Sequence, residues 1–502
     1  MVRAGIRFMA LLGVGVLALG ACGSSTPTTA PERVRDGDTF REGLVRLASD
    51  DPAKAQTVSE RVVADELYDG LTQWNPTKQQ AEPALATTWE LSADQLQWTF
   101  TLREAKASNG ESITAADVKR SLEHVTDKAT GSLLAETLAS VSSVNVVNDK
   151  TVRIDLAAPF ADLDSLLSNP AFGIVHYSGD TAFTTGAYKV VEKTDSMWKL
   201  RRVDGATAHL DGIDITFYDN ARGSYADFKL GDLDWTPISP DDADEAGKKY
   251  GTALFRPSLR TLSLTFNLAN PKFSDIRFRE AIVRAVERSA VATKLESSAS
   301  VLNGVVPQGV VGEQAGGCGA LCFHDRDRAK QLVKDAFPNG APPVTIDVAN
   351  GSPFTEAAKQ QIVDDLAAIG VTATVRGTDP DKFGPVTVQP DRELFQTSWS
   401  GAYPTAGAFI DPLYRSSSPS NVSGLKREEV NRNIDDAFKA TSFDGRVNAY
   451  RSAESSVMSQ LPVLPIAQFP TNSVQSTRMR GISISPTGAF DVANVWAAAP
   501  VN

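Results

Sequence analysis

Apolar and polar residues alternate in several short segments of the chain, and other segments carry apolar residues at helical spacing. Residues 44–48 and 96–102 alternate as half-buried strands do, whereas residues 58–71 place their apolar side chains on one face of a helix. Thr114 is followed three residues later by Asp117, and this capping box predicts the start of another helix. The pattern therefore predicts mixed α/β structure.

The later part of the chain continues this mixture. Residues 344–348 and 371–375 are β-branched segments on either side of a helical segment that Gly370 ends, which predicts a βαβ unit with parallel strands. A helix that begins at Ser274 as its cap is predicted over residues 275–289. The remaining predicted elements are a strand before that helix and two amphipathic helices, which precede an apolar segment (262–266, 428–440, 445–460 and 461–469).

The N-terminus has the regions of a secretory signal peptide. Arg3 and Arg7 precede an apolar run at residues 8–19, and small residues then lead to Cys22. The run is shorter than the roughly 20 residues that an ordinary membrane-spanning helix needs. Its ending, LGAC, resembles the lipobox of bacterial lipoproteins, in which residues 1–21 are removed and Cys22 is diacylated.

A lipidated Cys22 implies an extracytoplasmic protein that is anchored to the cell membrane and works in the cell envelope or periplasmic space. Two acyl chains anchor a protein durably, because each buried methylene contributes about 0.8 kcal/mol. Residues 22–39 are small and polar and include two prolines, so they are predicted to form a disordered tether. The alternative is a plain secreted protein in which Cys22 is incidental.

Chain length and net charge limit the classes to which the protein can belong. A chain of 502 residues is longer than one hydrophobic core usually supports, which predicts two or three lobes. The excess of 61 acidic over 50 basic side chains argues against a nucleic-acid partner, because phosphate contacts need clustered Lys and Arg. The sequence contains no HExxH, GxSxG or GxxxxGK[ST] motif, so we expect neither an enzyme nor a cofactor.

Cys318 and Cys322 are the two cysteines that lipidation would leave free. Outside the cytoplasm a nearby pair is most simply a disulfide. The alternative is a metal site completed by His324 and Asp325. Zinc sites usually take four ligands, often from two separate pairs, and the sequence has no second Cys or His cluster. We therefore predict a disulfide and no metal.

Seven segments in a fixed order carry a family resemblance. They are LYDGLTQWNP, EPALATTWELSADQLQWTFTLR, SNGESITAADVKRSLE, TTGAYKVVE, FNLANPKFSDIRFREAIVRAVER, RDRAKQLV and SWSGAYP (67–76, 82–103, 108–123, 184–192, 266–288, 326–333 and 398–404). Single segments such as SNGESITAADVKRSLE are weak signals, but the ordered series covers nearly the whole mature chain. In this order they resemble the bacterial extracellular solute-binding proteins of the peptide/nickel family (family 5), the dipeptide- and oligopeptide-binding components of ABC importers.

The resemblance implies an α/β fold, a two-lobed periplasmic-binding-protein clamp (type II, Venus-flytrap) with an extra N-terminal α/β subdomain. It places the hinge near residues 266–267 and again near residue 474. It also implies a monomer that hands its solute to an ABC permease backed by cytoplasmic ATPases. The expected division is a discontinuous lobe I, an inserted subdomain and lobe II (40–60 with 182–265 and 475–502, then 61–181, then 266–474).

One position departs from the family's peptide binders. Their ligand ammonium pairs with the Asp of a Trp-x-x-Asp-Tyr stretch, which here reads Trp399, Ser400, Gly401, Ala402 and Tyr403. A methyl group cannot neutralise an ammonium. Either another acid substitutes, or the ligand has no free amine there. Candidate acids are Asp411, Asp379 and Asp381; candidate ligands are an oligosaccharide, a blocked or cyclic peptide, another neutral solute, a metal chelate or haem.

Other ligand contacts are expected from the resemblance and from residue chemistry. Trp399 and Tyr403 offer flat aromatic area, with the core of the lobe as the alternative. Asn267 either binds ligand through its amide or holds the hinge. Asp411 either contacts ligand or caps a turn ahead of Pro412, while Ser49 and Asp50 are expected to line the cleft from lobe I.

Overall fold

The computed structural model describes residues 34–351, 353–379 and 391–498, in which strands and helices are mixed throughout. The predicted signal peptide, Cys22, Asp381 and most of the predicted tether lie outside the described residues. No helix of the described residues is long and apolar enough to cross a membrane.

The strands are β1 (Thr39–Val45), β2 (Thr72–Asn75), β3 (Gln80–Pro83), β4 (Ala86–Leu91), β5 (Gln97–Leu102), β6 (Val141–Asn148), β7 (Thr151–Leu156), β8 (His176–Ser178), β9 (Thr181–Phe183), β10 (Tyr188–Lys193), β11 (Met197–Arg202), β12 (Gly212–Tyr218), β13 (Trp235–Pro237), β14 (Phe255–Phe266), β15 (Ser300–Val301), β16 (Val344–Ala349), β17 (Ala373–Thr378), β18 (Leu394–Ser400), β19 (Val463–Gln475), β20 (Met479–Arg480) and β21 (Trp496–Ala497).

The helices are α1 (Val58–Leu67), α2 (Ala115–Thr126), α3 (Leu163–Leu166), α4 (Ala221–Leu230), α5 (Ala243–Tyr250), α6 (Ile276–Ala285), α7 (Arg288–Leu295), α8 (Arg326–Ala336), α9 (Glu356–Ala367), α10 (Gly407–Tyr414), α11 (Glu428–Phe438) and α12 (Phe443–Met458).

One mixed sheet runs through the described chain in the order β10-β11-β12-β1-β13-β19-β14-β18-β16-β17, with β15 paired to β19. Its two halves are joined by the long strands β14 and β19. β19 pairs with β14 along most of its length and then passes to β13, where Trp235 pairs with Gln475. The pairing of Arg256 with Thr471 marks the point at which these strands cross between the halves.

The first half of the sheet has its own hydrophobic core. β1, β10, β11 and β12 contribute buried apolar residues to it, and α1 packs against them through Val62, Val63 and Leu67. The expected boundary between residues 60 and 61 therefore falls inside α1, which packs with this half. α1 begins with a complete capping box, in which Thr57 and Glu60 each bond the other's backbone.

A separate four-stranded antiparallel sheet, β4-β5-β7-β6, forms the inserted segment together with α2. The capping box predicted at Thr114 and Asp117 is present at the start of α2. The core of this segment is continuous with that of the second half of the main sheet. Phe160 joins the two, because its ring packs edge-on against Tyr403 and Phe438 at centroid distances of 5.8 and 5.4 Å.

The second half of the sheet contains the predicted βαβ unit. β16 and β17 are parallel neighbours, and α9 lies between them in sequence. The helix predicted over residues 275–289 is interrupted, since α6 ends at Ala285 and α7 starts at Arg288. The break occurs where the Glu287 N–H donates to the Asp365 carboxylate at 3.0 Å instead of continuing the helix. The cap of α6 is Asp275 rather than Ser274.

Candidate functional site

A cavity of about 140 Å³ lies where β14 and β19 cross between the two halves, and we call it the crossing cavity. Residues from both halves line it, which makes it the natural place for a ligand held between lobes. Its charged side chains are Arg61, Arg260 and Glu296. The other lining residues are Val58, Asn169, Pro237, Ile238, Pro240, Ser258, Leu259, Ser400, Gly401, Pro470, Thr471, Asn472, Pro486 and Thr487.

Arg61 of α1 is held in the wall of the crossing cavity by backbone carbonyls. Its Nε donates to Thr487 O and its Nη1 to Gln56 O, both at 2.6 Å. Burial lowers the pKa of Arg61 to about 10, which leaves it protonated at neutral pH. Within the described residues this guanidinium has no ion-pair partner, so its positive charge remains available to the cavity.

Arg260 enters the same cavity from the opposite half. Its guanidinium lies over the Phe469 ring, 5.1 Å from the centroid, and has no ion pair among the described residues. Glu296 is the acidic member of the wall. Burial raises the pKa of Glu296, while a hydrogen bond from Ser298 and the charge of Arg260 partly lower it. The crossing cavity is therefore basic overall.

Asn472 of β19 adds a polar atom that lacks a partner. Its side chain lines the crossing cavity and is only 5% exposed. Nδ2 donates to Ser298 Oγ at 2.9 Å, but Oδ1 accepts no hydrogen bond within the part of the chain that the structure describes. A buried acceptor without a donor is costly, so this oxygen is suited to an N–H donor from a ligand or to a water molecule.

A second cavity of about 240 Å³, which we call the acidic cavity, adjoins the first. Asp65, Asp69 and Asp491 line it, together with Tyr68, Gly70, Thr72, Gln73, Trp74, Asn75, Pro76, Thr77, Glu82, Ala84, Ser168, Asn169, Pro170, Gly481, Ser483, Ser485, Thr487, Ala489, Phe490 and Asn494. Asp69 is paired with Arg103 at 2.6 Å, and Asp491 accepts from Ala493 N at 2.9 Å. Asp65 accepts no hydrogen bond from any described residue.

The carboxyl groups of the acidic cavity resist ionisation. Burial, together with the neighbouring Asp491 and Asp69 carboxylates, raises the pKa of Asp65 to about 8. Burial likewise raises the pKa of Asp69 to about 6, although Arg103 partly lowers it. The pKa of Asp491 is also raised by burial. Near neutral pH the Asp65 carboxyl group is therefore largely protonated, and a cation bound beside it would favour its ionised form.

Asn169 and Thr487 line both cavities, so the two cavities are neighbours. The Asn169 side chain also donates to Ala402 O at 2.7 Å. Ala402 is 9% exposed, and this bond fixes its backbone beside the junction of the two cavities. Its neighbours Ser400 and Gly401 line the crossing cavity directly.

Trp399 and Tyr403 lie outside the crossing cavity. The Trp399 indole donates to Ala408 O at 2.8 Å and borders a separate space of about 20 Å³ beside Thr261 and Ser263. Tyr403 is buried, and burial raises the pKa of its hydroxyl well above the ordinary value. The structure therefore places these two rings in packing positions within this conformation.

The other residues predicted to contact ligand form hydrogen bonds or ion pairs with other residues of the protein. Asn267 lies just beyond the far end of β14 from the crossing cavity and donates to Arg392 O at 2.8 Å. Asp411 forms an ion pair with Arg415, one turn further along the chain. Ser49 Oγ accepts from Asp51 N at 3.1 Å, the exposed Asp50 pairs with Lys193 at 2.5 Å, and Asp379 accepts from Asn350 at 3.0 Å.

Cys318 and Cys322 are joined as a disulfide, with their Cα atoms 5.6 Å apart. Neither sulfur is therefore a free thiolate for a metal. Asp325 instead accepts from Arg328 N at the start of α8, and His324 Nε2 lies 3.9 Å from a Glu287 oxygen. In the described ranges, no three His, Cys, Asp or Glu side chains come together in a group that could hold a metal ion.

The sequence-based reasoning missed the charged residues of the cleft, Arg61, Asp65, Arg260 and Asp491. One signal was available, because Arg61, Asp65 and Asp69 follow each other at four-residue spacing in a segment interpreted only by its apolar positions. Arg260 and Asp491 carry no comparable local signal.

Known proteins resemble the chain over most of its length. It is 24% identical over 461 residues to the "Probable deoxycholate-binding periplasmic protein YgiS" of Escherichia coli (strain K12), covering 84% of this chain and 86% of that protein. It is 24% identical over 469 residues to the "Glutathione-binding protein GsiB" of Salmonella typhimurium, covering 88% and 90%. The unliganded open form of the periplasmic murein tripeptide binding protein MppA superimposes with a TM-score of 0.83 at 21% identity, covering 94% and 99%.

The structural match confirms the expected fold, an α/β protein with the two lobes of periplasmic binding proteins. We therefore call the half of the main sheet that contains β1 lobe I, and the half that contains β16 lobe II. The sequence model described as bacterial extracellular solute-binding proteins, family 5, middle region, matches residues 80–421. The chain accordingly belongs to the family 5 bacterial extracellular solute-binding proteins.

Proposed function

We propose that this protein is the substrate-binding lipoprotein of an ABC importer, which captures a dipeptide or oligopeptide between its lobes and delivers it to a membrane permease. The observation that carries this proposal is the crossing cavity, into which Arg61 projects from lobe I and Arg260 from lobe II. Neither guanidinium has an ion-pair partner among the described residues. An anionic group of the ligand would bridge the lobes.

A ligand that bridges the two lobes explains how binding favours the closed conformation. A ligand shifts a hinge equilibrium toward closure only by the contacts that the closed form adds. Contacts from both sides of the crossing strands supply that difference. The closed form then docks on the permease, while cytoplasmic ATPases provide the energy.

The crossing strands also refine the division into domains. We propose that the hinge lies near the pair Arg256 and Thr471, because β19 passes there from β14 to β13. We further propose that α1 belongs to lobe I, since its apolar face packs in that core. The remaining boundaries stay as predicted from the sequence.

Peptide-type ligands are favoured by the relatives. Glutathione is named for one relative and a murein tripeptide for the structural neighbour. Peptides combine a backbone that pairs with polar groups of a cleft and side chains that roomy, wet pockets accept. The unpartnered Oδ1 of Asn472 suits a ligand N–H in such a cleft.

A second candidate is import of a solute without a free amine, such as a blocked peptide, an oligosaccharide, a chelate or haem. Ala402 favours it, because an alanine stands where the family's peptide binders have the acid that pairs with the ligand's amine. Deoxycholate, named for another relative, is an example of an anionic solute without an amine.

Thermal unfolding of the full chain tests the proposal. A ligand at about 100 times its dissociation constant adds roughly 2.7 kcal/mol of stability. We expect a pool of short peptides to raise the melting temperature, and Arg260→Gln to weaken that shift. Arg222→Gln, at an exposed position outside both cavities, is the matched control. A shift with deoxycholate or oligosaccharides and none with peptides would establish the second candidate instead.

A further inference from the structure

Two glutamates interrupt the apolar pattern of lobe I at the place where α1 packs against β1. Glu42 stands between Phe40 and Leu44 on β1, and strand alternation puts these three side chains on the same face, toward the core. Glu66 lies four positions after Val62 on α1, so the two share the helix face that packs in this core. The glutamate side chains are 0% and 1% exposed. Each element therefore places a carboxyl group inside an otherwise apolar contact.

The two carboxyl groups are hydrogen-bond neighbours of each other. None of their four oxygens receives a hydrogen bond from an N–H or O–H group of the residues that the structure describes. Ionised carboxylates only accept hydrogen bonds, so a bond between Glu42 and Glu66 requires a proton on one of them. The contact between β1 and α1 is therefore built around a shared proton.

The neighbours of this pair are acidic or neutral. Asp65 adjoins Glu66 on α1, and Tyr188 of β10 is close enough that burial, and then the Glu66 charge, raise the pKa of its hydroxyl. Trp235 of β13 pairs with Glu42 of β1, and its buried indole N–H has no acceptor among the described residues. Two ionised carboxylates enclosed in such a core would repel each other and lose their hydration, so the folded protein retains a proton there.

We propose that Glu42 and Glu66 form a proton-sharing pair that fastens α1 to β1, so that a rise in pH loosens the helix. α1 carries Arg61 into the crossing cavity and Asp65 into the acidic cavity. Loosening of α1 displaces both groups, and ligand affinity falls with it. The effect on α1 is independent of the proposed function, whereas the effect on ligand binding rests on it.

The direction of the pH effect follows from burial. Burial, partly offset by the hydrogen bond with Glu66, raises the pKa of Glu42 to about 7. Burial, followed by the charges of Glu42 and Asp65, raises the pKa of Glu66 well above its ordinary value. In the unfolded chain both glutamates ionise near a pKa of about 4.3. Their contribution to stability is complete below that value and is lost as pH rises through the pKa values of the folded state.

Linkage gives the size of the effect. When α1 detaches, Glu66 reaches water and releases the proton that it keeps in the folded state. Each such proton raises the equilibrium constant for opening α1 about tenfold per pH unit, over the interval between the two pKa values. Asp65 also titrates when the helix opens, so the wild-type slope exceeds the slope of one proton.

Hydrogen exchange of the α1 amides in the full chain, corrected for the intrinsic rate at each pH, measures this opening. From about pH 6 to 8 we expect the wild-type opening constant to rise at least about tenfold per pH unit. Glu66→Gln should lower that slope by about tenfold per pH unit, because its amide donates to the Glu42 carboxylate without a titrating proton. Glu90→Gln, at an exposed position of β4, is the matched control and should keep the wild-type slope.

Infrared spectra near neutral pH provide a readout that a change in packing would not alter. Glu66→Gln should remove a C=O band of a protonated carboxyl group that the wild type and Glu90→Gln both show. If Glu66→Gln does not fold, Glu42→Gln tests the same hydrogen bond from β1. An unchanged slope of α1 opening, or an unchanged carboxyl band, would overturn the proposal.

The consequence for binding is tested with the pool of short peptides, whose affinity is measured at both ends of the same pH range. Affinity should fall as pH rises in the wild type and should fall less in Glu66→Gln. If α1 opens as expected and affinity falls equally in the two proteins, the link from the pair to the ligand is overturned. If α1 opens as expected and no peptide binds at either pH, the proposed function is overturned and the proton-sharing pair is supported.

Discussion

The Asn169 side-chain amide donates to the carbonyl of Ala402 at 2.7 Å, across 233 positions of sequence. This buried bond connects the inserted segment to lobe II at the junction of the two cavities. Asn169 Oδ1 also accepts from Ala171 N at 3.0 Å, so one side chain satisfies two backbone groups. The residue therefore positions the 400–402 backbone that borders the cleft.

Asn169→Ala should destabilise the protein by about 1–3 kcal/mol, because it leaves a buried carbonyl and a buried N–H without partners. Urea unfolding followed by circular dichroism measures the change. Asn433→Ala, which removes a bond to Ser456 from a half-buried asparagine, is the control and should cost less. Equal losses in the two variants would show that the Ala402 contact contributes nothing specific.

Asp162 is a fully buried carboxylate of the inserted segment that three side chains of lobe II surround. Thr405 and Tyr450 donate hydrogen bonds to it, and Arg446 lies 3.3 Å from its other oxygen. Asp162→Ala should cost about 3 kcal/mol or more, because Arg446 loses its buried counter-charge. Asp241→Ala removes an exposed ion pair with Arg222 and should cost less than about 1 kcal/mol. Chemical denaturation measures the free energy of unfolding of both variants. A loss below about 1 kcal/mol in Asp162→Ala would contradict the view that Asp162 is the buried counter-charge of Arg446.

The ligand-free protein should become less stable as pH rises from about 5 to 8. Burial raises the pKa of Asp65 to about 8, of Glu42 to about 7 and of Asp69 to about 6. Between the ordinary carboxyl pKa and these values the folded state holds protons that the unfolded state has released. The stability that these carboxyl groups contribute is therefore fully present below their pKa in the unfolded state, and it is lost as pH rises through their pKa in the folded state.

Melting temperatures across this pH range measure the effect, and Asp65→Asn should flatten the dependence because it removes one titrating group. The groups that face Asp65 are Asp69 with its partner Arg103, Asp491, and Glu66, which lies beside Glu42. Asp241→Asn, at an exposed position, is the control. An unchanged pH slope in Asp65→Asn would show that its carboxyl group ionises alike in both states.

Cys22→Ser should release the protein from the membrane fraction, because the thiol that would carry the acyl chains is removed. Cell fractionation with immunodetection measures how much protein remains in the membrane fraction. Mass spectrometry of the intact protein shows whether residues 1–21 have been removed. Cys318→Ser with Cys322→Ser is the matched control, since these cysteines lie in lobe II and should leave the location unchanged. A Cys22→Ser protein that stays in the membrane fraction would refute the lipid anchor.

Local structure in this protein was largely determined by neighbouring residues in sequence. The capping box at Thr114 and Asp117 and the strand–helix–strand unit from β16 to β17 formed as predicted, because caps and hydrophobic periodicity act over a few residues. The helix predicted over residues 275–289 is interrupted in the structure because of a contact between residues that are far apart in sequence. The N–H of Glu287 binds Asp365, which lies 78 positions away.

The family and its fold could be predicted from the sequence, because the ordered series of motifs extends over most of the chain and the family model matches residues 80–421. The cleft was decided only by tertiary structure. Crossing of β14 and β19 brings Arg260 opposite Arg61, and the C-terminal loop brings Asp491 to Asp65. No local sequence pattern predicts which of these residues come together, because burial and charge at a site depend on the distant segments that enclose it. Trp399 illustrates the point: its motif left a ligand contact and a place in the core of the lobe both open, and in the structure its indole donates to Ala408 O.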